Sequence, residues 1–281
     1  MKVAAVIVTF NRKEMLIRNL ECILNQSRTL DKIYVIDNAS TDGTEDYIKE
    51  FIYKNKQIEY VRLNENLGGS GGFHNGLKKA YEDGYDYIWG MDDDAFPEVS
   101  ALEALMESYS ISNECKCLWS NCNSDCSGFN NEGYKEVNNW MFVGFFVPRE
   151  VIKKVGLPRE DFFIYHDDTE YAERIIKNGF KIYKVEDSVI EHGDFSKREM
   201  LRKRFCGKYL EFPKMPDWKL YYYERNFLLK YSFKEKGKYT HMLYHIPKDI
   251  IKMCILDGKK CKIMITAYFD GILGKSGKKQ F

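Results

Sequence analysis

Four short apolar segments, each followed by a polar stretch, constrain this chain more than any other feature. Residues 3–8, 32–36, 58–62 and 85–90 read as strands. Residues 13–25 place Leu16, Leu20, Ile23 and Leu24 at helical spacing. Thr41-Asp42-Gly43-Thr44 then opens a second helix with capping residues, and a Gly-rich turn at residues 66–72 leads into a third that ends near Asp83. Strands alternating with helices specify an α/β fold, a mostly parallel sheet covered on both faces. Ligands of such sheets bind beyond the carboxyl ends of the strands. Four polar clusters fall there: Thr9-Phe10-Asn11-Arg12, Asp37-Asn38, Gly68–Gly72 and Asp92-Asp93-Asp94.

The acid triplet is the most pointed of these. Three adjacent negative charges repel one another unless a cation or bound donors offset them. Hard oxygen ligands suit Mg²⁺ or Mn²⁺, which usually bridge carboxylates to substrate phosphates. A solvated acidic turn has the same composition, so the triplet alone leaves both readings open. Asp37 can accept hydrogen bonds from an imide N–H or a ribose, or it belongs to an ordinary turn with Asn38. Arg12 and the glycine backbone can meet phosphates, unless the glycines form only a flexible loop. The glycines match neither G-x-G-x-x-G nor a Walker A loop, which disfavours a nicotinamide or ATP site.

Composition narrows the class. The chain has 281 residues, 44% hydrophobic, enough for one large domain or a domain with an appendage. A net charge of +1 shows no bias towards nucleic acid. The charge is uneven: residues 231–281 hold eleven Lys against four acids, mixed with apolar residues. A strand begins at once, with no leader pattern, and every apolar run is far shorter than the roughly 20 residues a bilayer span needs. The expectation is a cytoplasmic protein, or one peripheral on the cytoplasmic membrane face. Eight cysteines are then expected to be reduced thiols. Cys115, Cys117, Cys122 and Cys126 crowd one polar segment, but not at zinc-ribbon spacing.

Taken in order, Val8-Thr9-Phe10-Asn11-Arg12, Val35 to Gly43, Asn66-Leu67-Gly68-Gly69 and Met91 to Ala95 resemble the family 2 nucleotide-sugar glycosyltransferases of GT-A fold. The likeness runs through about residues 3–195. The string from Asn66 to Pro97, with Gly71-Gly72-Phe73-His74 and the acid triplet, looks like the galactofuranosyltransferase branch, which shares much with rhamnosyltransferases. The resemblance implies a nucleotide-sugar site formed by Thr9, Asn11, Arg12, Asp37, Asn38, Asn66, Gly68, Gly69, Gly71, Gly72, Asp92 and Asp93. It also implies an ion, Mn²⁺ or Mg²⁺, held by Asp92, Asp94 and His192, where His192 alone would read as a strand-end histidine.

The second half supplies the remaining candidates. Residues 162–171 set acids beside an aromatic, strand-like segment and resemble the family's W-D-D-x-D/E motif, with His166 in place of the tryptophan. The likeness implies Asp168 as general base, with Asp167 and Glu170 orienting acceptor or base. An acid-rich helix N-terminus favoured by the helix dipole is the plainer reading. Trp140 is a candidate to stack on an acceptor sugar and Gly144 to let it approach, with His166 beside them; core packing is the alternative. Residues 111–136 read as an insertion that shapes the acceptor pocket. Leu220 to Asn226 begins a helical, aromatic and basic region that resembles the Tyr-rich Arg-Asn segment of these enzymes. A helix within residues 246–273 has the composition to rest on an anionic membrane, or to pack on the domain or on a second copy.

The expectation is therefore a GT-A catalytic domain over residues 1–207, with a C-terminal helical appendage over residues 208–281. Its function would be inverting, metal-dependent transfer of a sugar, galactofuranose from UDP-galactofuranose, to a surface or polyprenyl-linked glycan. Transfer of rhamnose from dTDP-rhamnose is the enzymatic alternative, and a non-catalytic glycan-binding scaffold the alternative of another class.

Overall fold

The computed structural model describes residues 1–111, 114–122, 127–193, 199–230 and 241–279. The chain divides into two compact units. The first comprises Met1–Glu160 and Asp168–Gly193, and the second Asp161–Asp167 with Asp194–Phe281.

The first unit is built on one nine-stranded sheet. Its strands are β1 (Val3–Thr9), β2 (Lys32–Asp37), β3 (Ile58–Arg62), β4 (Tyr87–Asp92), β5 (Ala95–Pro97), β6 (Cys117–Cys122), β7 (Tyr134–Val137), β8 (Phe145–Pro148) and β9 (Ile182–His192). The spatial order is β3-β2-β1-β4-β8-β6-β9-β5, with β7 also paired to β9. β1 to β4, β6 and β9 run one way and β5, β7 and β8 the other, so the sheet is mostly parallel. Helices α1 (Lys13–Leu24), α2 (Thr44–Lys54), α3 (Gly68–Glu82), α4 (Ala101–Ser110), α5 (Arg149–Val155) and α6 (Asp167–Lys177) accompany it.

Strand periodicity explains the two cores. Val3, Ala5 and Ile7 of β1 bury themselves with Leu16 and Leu20 of α1 and with Leu102 and Leu105 of α4. Ala4, Val6 and Val8 point the other way, towards Phe73, Leu77 and Ala80 of α3. That second contact is close enough to require glycine. A methyl at Gly72 would overlap Val8, and one at Gly76 would overlap Val6. The segment read as a glycine-rich turn is in fact the first turns of α3, which starts at Gly68.

In the second unit a hairpin, β10 (Met200–Phe205) with β11 (Lys208–Pro213), precedes α7 (Asp217–Leu229). The C-terminal stretch expected as one helix is two, α8 (Ile246–Leu256) and α9 (Gly258–Ile272). Asp257 breaks it: the residue is extended and its side chain caps α9 by accepting from the Lys259 and Lys260 amides. Leu220, Leu228, Met253, Met264 and Tyr268 form this unit's core. The expectation of reduced thiols fails here. Cys254 and Cys261 are joined in a disulfide, because the break brings their Cα atoms to 5.0 Å. Among the described residues no helix is long and apolar enough to cross a membrane.

Residues 162–166 also differ from expectation. They are no strand: Phe163, Tyr165 and His166 all have left-handed backbones, with φ of 69°, 68° and 63°.

Candidate active site

The acid triplet lies where β4 ends and β5 begins. Only Asp93 and Asp94 separate the two strands, although β5 pairs with β9 at the far end of the sheet order. The sheet curls to permit this, with a register shift in β9 opposite Ser120 and Asn121. β5 then pairs antiparallel with β9 in the register Ala95↔His192. That register sets His192 against the triplet. Its Nε2 is 3.2 Å from Asp94 Oδ1. One ligand atom each from Asp92, Asp94 and His192 lie within 4.8 Å of one another. Two hard oxygens and an imidazole nitrogen fit a divalent ion such as Mn²⁺ or Mg²⁺.

Asp93 has a different position. It is buried, and its carboxyl accepts from Thr9 Oγ1 at 2.7 Å and from Arg12 Nη1 at 3.1 Å. The same Arg12 nitrogen is 2.7 Å from Asp94 Oδ2. Burial, with Asp94 beside it, pushes Asp93 up to about 6 against the pull of Thr9 and Arg12. Burial also acts upward on Asp94, but the His192 hydrogen bond and the Arg12 charge outweigh it and hold that carboxyl below its usual range. The triplet thus divides: Asp93 ties the turn to β1, while Asp92 and Asp94 stand with His192.

A second connected group surrounds the end of β2. Asp37 is fully buried, and Oδ1 accepts from the Ser40 amide at 2.9 Å and the Ser40 hydroxyl at 2.5 Å. Oδ2 accepts from the Tyr60 hydroxyl and, at 3.2 Å, from Arg62 Nη1. These four donors match the four lone-pair directions of a carboxylate. Asp37 therefore orders Ser40, Tyr60 and Arg62. Asn11, with φ of 53°, donates its amide to Ser40 Oγ and accepts from the Thr41 amide. Asn38 links β2 to the start of α3, donating to Gly68 O and accepting from the Leu67 amide. Asn66 accepts from the Gly68 amide at 2.7 Å. Gly69 faces open space, whereas Gly71 and Gly72 are buried, packed on Leu67 and Val8.

The third group centres on Asp168. Trp140 is 1% exposed, and its indole N–H donates to the Asp168 carbonyl at 3.2 Å. The ring packs on Phe145 and Tyr171, so it backs Asp168 instead of offering a face to a sugar. Gly144 likewise serves the fold, since its φ is +71° and a methyl there would overlap Ile190 and Ser120. Asp168 Oδ1 accepts from the Thr169 amide at 2.6 Å. Glu170 is gripped by Arg174 through two bonds of 3.0 Å, and Arg174 also holds the Val155 and Leu157 carbonyls. Asp167 and His166 fall in the second unit. His166 packs on Tyr223 and Phe227, and burial, with the Lys230 charge, brings its imidazole down to about 4.

Sequence reasoning missed several of these partners. Asn19 of α1 donates to the Ala95 carbonyl and so holds the start of β5; a polar residue on the buried Leu16-Leu20-Ile23 face was its signal. Ser40 lies within the run Val35 to Gly43 that carries the resemblance, whereas Tyr60 and Arg62 carried no signal. Among the described residues Asp92, Asp94 and His192 are the one cluster able to hold a metal. Cys115, Cys117 and Cys122 are free thiols, and Cys126 lies outside the described residues, as does part of the proposed insertion.

A mostly parallel sheet with acids and a histidine at its carboxyl edge places a candidate ion site where such sheets bind ligands. Residues 4–158 match Glycosyl transferase family 2, and the chain belongs to that family. It is 26% identical over 249 residues to galactofuranosyltransferase GlfT1 of Mycobacterium tuberculosis, covering 79% of each chain. Among solved structures it is similar to S. aureus TarS 1-349 in complex with UDP-GlcNAc, with a TM-score of 0.59, 14% identity, and coverage of 98% of this chain and 81% of that one. GalNAc-T7 with UDP, GalNAc and Mn²⁺ superposes with a TM-score of 0.60 and 15% identity, over 68% of this chain and 43% of its own. These likenesses show the GT-A fold.

Proposed function

We propose that this chain transfers galactofuranose from UDP-galactofuranose to a sugar hydroxyl of a surface or lipid-linked glycan, with inversion at the anomeric carbon. The observation that supports this most is the Asp92–Asp94–His192 group at the carboxyl edge of the sheet. It occurs in a chain similar to a galactofuranosyltransferase over 79% of its length.

Asp92, Asp94 and His192 would hold Mn²⁺, or Mg²⁺, which when bound neutralises charge on the departing nucleoside diphosphate. Asn11, Arg12, Asn66, Gly68 and Gly69 line the donor side, with the buried Thr9 and Asn38 supporting it through Asp93 and Gly68, and Arg12 brings a guanidinium to the diphosphate end. Asp37 acts on the base end through Ser40, Tyr60 and Arg62. Asp93 holds the ligand-bearing turn to β1. Asp168 is the general base. It takes the proton of the acceptor hydroxyl as that oxygen bonds to the anomeric carbon. The bond from that carbon to the diphosphate oxygen breaks, and its electron pair leaves with the nucleotide. Trp140 fixes the backbone of Asp168, and Glu170, locked to Arg174, stiffens the first turns of α6.

The second unit exposes Leu243, Tyr244, Ile251 and Phe269 in a lysine-rich stretch, which supports contact with an anionic, cytoplasmic membrane face bearing a polyprenyl-linked acceptor.

The test is nucleoside diphosphate release by purified protein with Mn²⁺, from UDP-galactofuranose, UDP-galactopyranose, UDP-glucose and dTDP-rhamnose. Release from UDP-galactofuranose alone, abolished by EDTA and by Asp168→Asn, is the expected result. Release from dTDP-rhamnose alone would overturn the donor assignment while keeping the mechanism.

A further inference from the structure

The segment that leads into Asp168 is held in an unfavourable conformation by residues far along the chain. Phe163, Tyr165 and His166 all adopt positive φ, a region that side chains with a Cβ rarely occupy. Such backbone persists only where surrounding structure over-determines it, and it clusters at functional sites. Here the determinant is one face of α7. Asn226, fully buried, brings its side-chain NH2 within hydrogen-bond distance of three carbonyls, Phe162 and Ile164 at 2.8 Å and Tyr165 at 3.0 Å, its two hydrogens shared among them. Arg225, 1% exposed, donates Nη2 to Phe162 O at 3.1 Å and Nη1 to Gly277 O at 2.6 Å. Its Nε donates to Asn226 Oδ1 at 2.9 Å, which fixes the orientation of the amide. The side chains add to the hold: Phe163 stacks on Tyr222 at 4.8 Å, and His166 packs on Tyr223 at 5.0 Å.

We propose that Asn226 and Arg225 are positioning residues for sugar transfer, whose donors hold residues 162–165 in the conformation that delivers Asp167 and Asp168 to the first turn of α6. Buried guanidinium and amide groups need satisfied partners, and these two find theirs in the carbonyls that a left-handed segment turns towards them. An ordinary strand would point successive carbonyls to opposite sides, so one amide could not reach those of Phe162, Ile164 and Tyr165 together. The inference rests on the reading of Asp168 as general base.

The experiment is steady-state kinetics on Asn226→Ala and Arg225→Lys with UDP-galactofuranose, or dTDP-rhamnose if that is the donor turned over. Donor affinity by calorimetry, hydrogen exchange at residues 163–167 and the unfolding midpoint are measured alongside. Asn226→Ala is expected to lower kcat about 100-fold, the scale of a 1 Å misplacement. Donor affinity should stay unchanged and exchange in the segment should accelerate; the midpoint falls, because three carbonyls and Arg225 Nε lose a buried partner, but the variant stays folded at the assay temperature. Arg225→Lys keeps the charge but loses the planar fork, and is expected to show the same pattern more weakly; it becomes the deciding variant if Asn226→Ala fails to fold. Unchanged kcat, a fall in kcat matched by an equal loss of donor affinity, or loss of fold in both variants would overturn the proposal. Asp168→Asn, measured in parallel, separates the clamp from the base. If it is inactive while Asn226→Ala works normally, the clamp fails and the base stands. If it is active while Asn226→Ala is impaired, the base fails and the clamp serves another group on the segment.

Discussion

Glu224 offers a quantitative test of the second unit. It lies on the buried side of α7, and burial, with Asp249 adding to it, pushes its carboxyl up from 4.5 to about 7 against the neighbouring Tyr268. A folded-state pKa above the unfolded one means that the folded protein binds the extra proton. The favourable contribution is complete below pH 4.5 and is lost as pH rises through 7. A shift of this size corresponds to about 3 kcal/mol in full, of which about 2.5 kcal/mol falls between pH 5 and pH 8. Asp270 does not interfere: burial opposes it, but Lys279, Tyr221 and Lys275 hold it well below the usual range, so it titrates only in stronger acid. Glu224→Gln keeps the volume and removes the titration. Urea unfolding of both proteins from pH 5 to pH 8 should show the Gln variant gaining on the wild type by about 2.5 kcal/mol as pH rises. A pH-independent difference, or a gain towards acid, would show that Glu224 does not bind its proton more tightly in the folded state.

Other outcomes follow from the first unit. A methyl at Gly90 would overlap the Phe145 ring, which is fully buried against Phe73, Trp140 and Phe142. Gly90→Ala is therefore expected to cost about 1–3 kcal/mol in denaturant unfolding, and unchanged stability would contradict the packing described. His192→Ala should weaken Mn²⁺ binding by at least about 10-fold in calorimetry while leaving the unfolding midpoint near wild type; equal Mn²⁺ affinity would remove His192 from the ligand set. Asp37→Ala leaves the Ser40 and Tyr60 donors without their shared acceptor, while solvent takes up the exposed Arg62, and should destabilise by roughly 1–3 kcal/mol, the scale of a buried donor left unsatisfied. A thermal shift within error of wild type would mean that the network around β2 is dispensable.

The parallel half of the sheet is readable in the sequence because its strands are apolar on both faces and its helices carry regular stripes. Ala4, Val6 and Val8 could be assigned to one core and Ala5 and Ile7 to the other by alternation alone. The meeting of Asp94 with His192 was legible only through family resemblance, because the register of β5 on β9 joins residues 98 apart in sequence. Three readings changed for one reason, the priority of tertiary packing over local pattern. Gly71 and Gly72 look like a phosphate loop, yet they are buried in the first turns of α3, and Gly72 admits that helix to the face of β1. Trp140 looks like a sugar platform, yet its ring is in the core and its N–H on Asp168. Residues 162–166 have the composition of a strand, but Asn226, some 60 positions later, draws three of their carbonyls to itself.

Stereochemistry distinguishes a single displacement assisted by Asp168 from every double-displacement route. Proton NMR of the first product formed from UDP-galactofuranose with Mn²⁺ and an acceptor glycan reports the anomeric configuration directly. With Asp168 as base, the new linkage has the configuration opposite to the donor's, and Asp168→Asn forms no such product. A product that retains the donor configuration, or transfer that persists in that variant, would contradict the role assigned to Asp168.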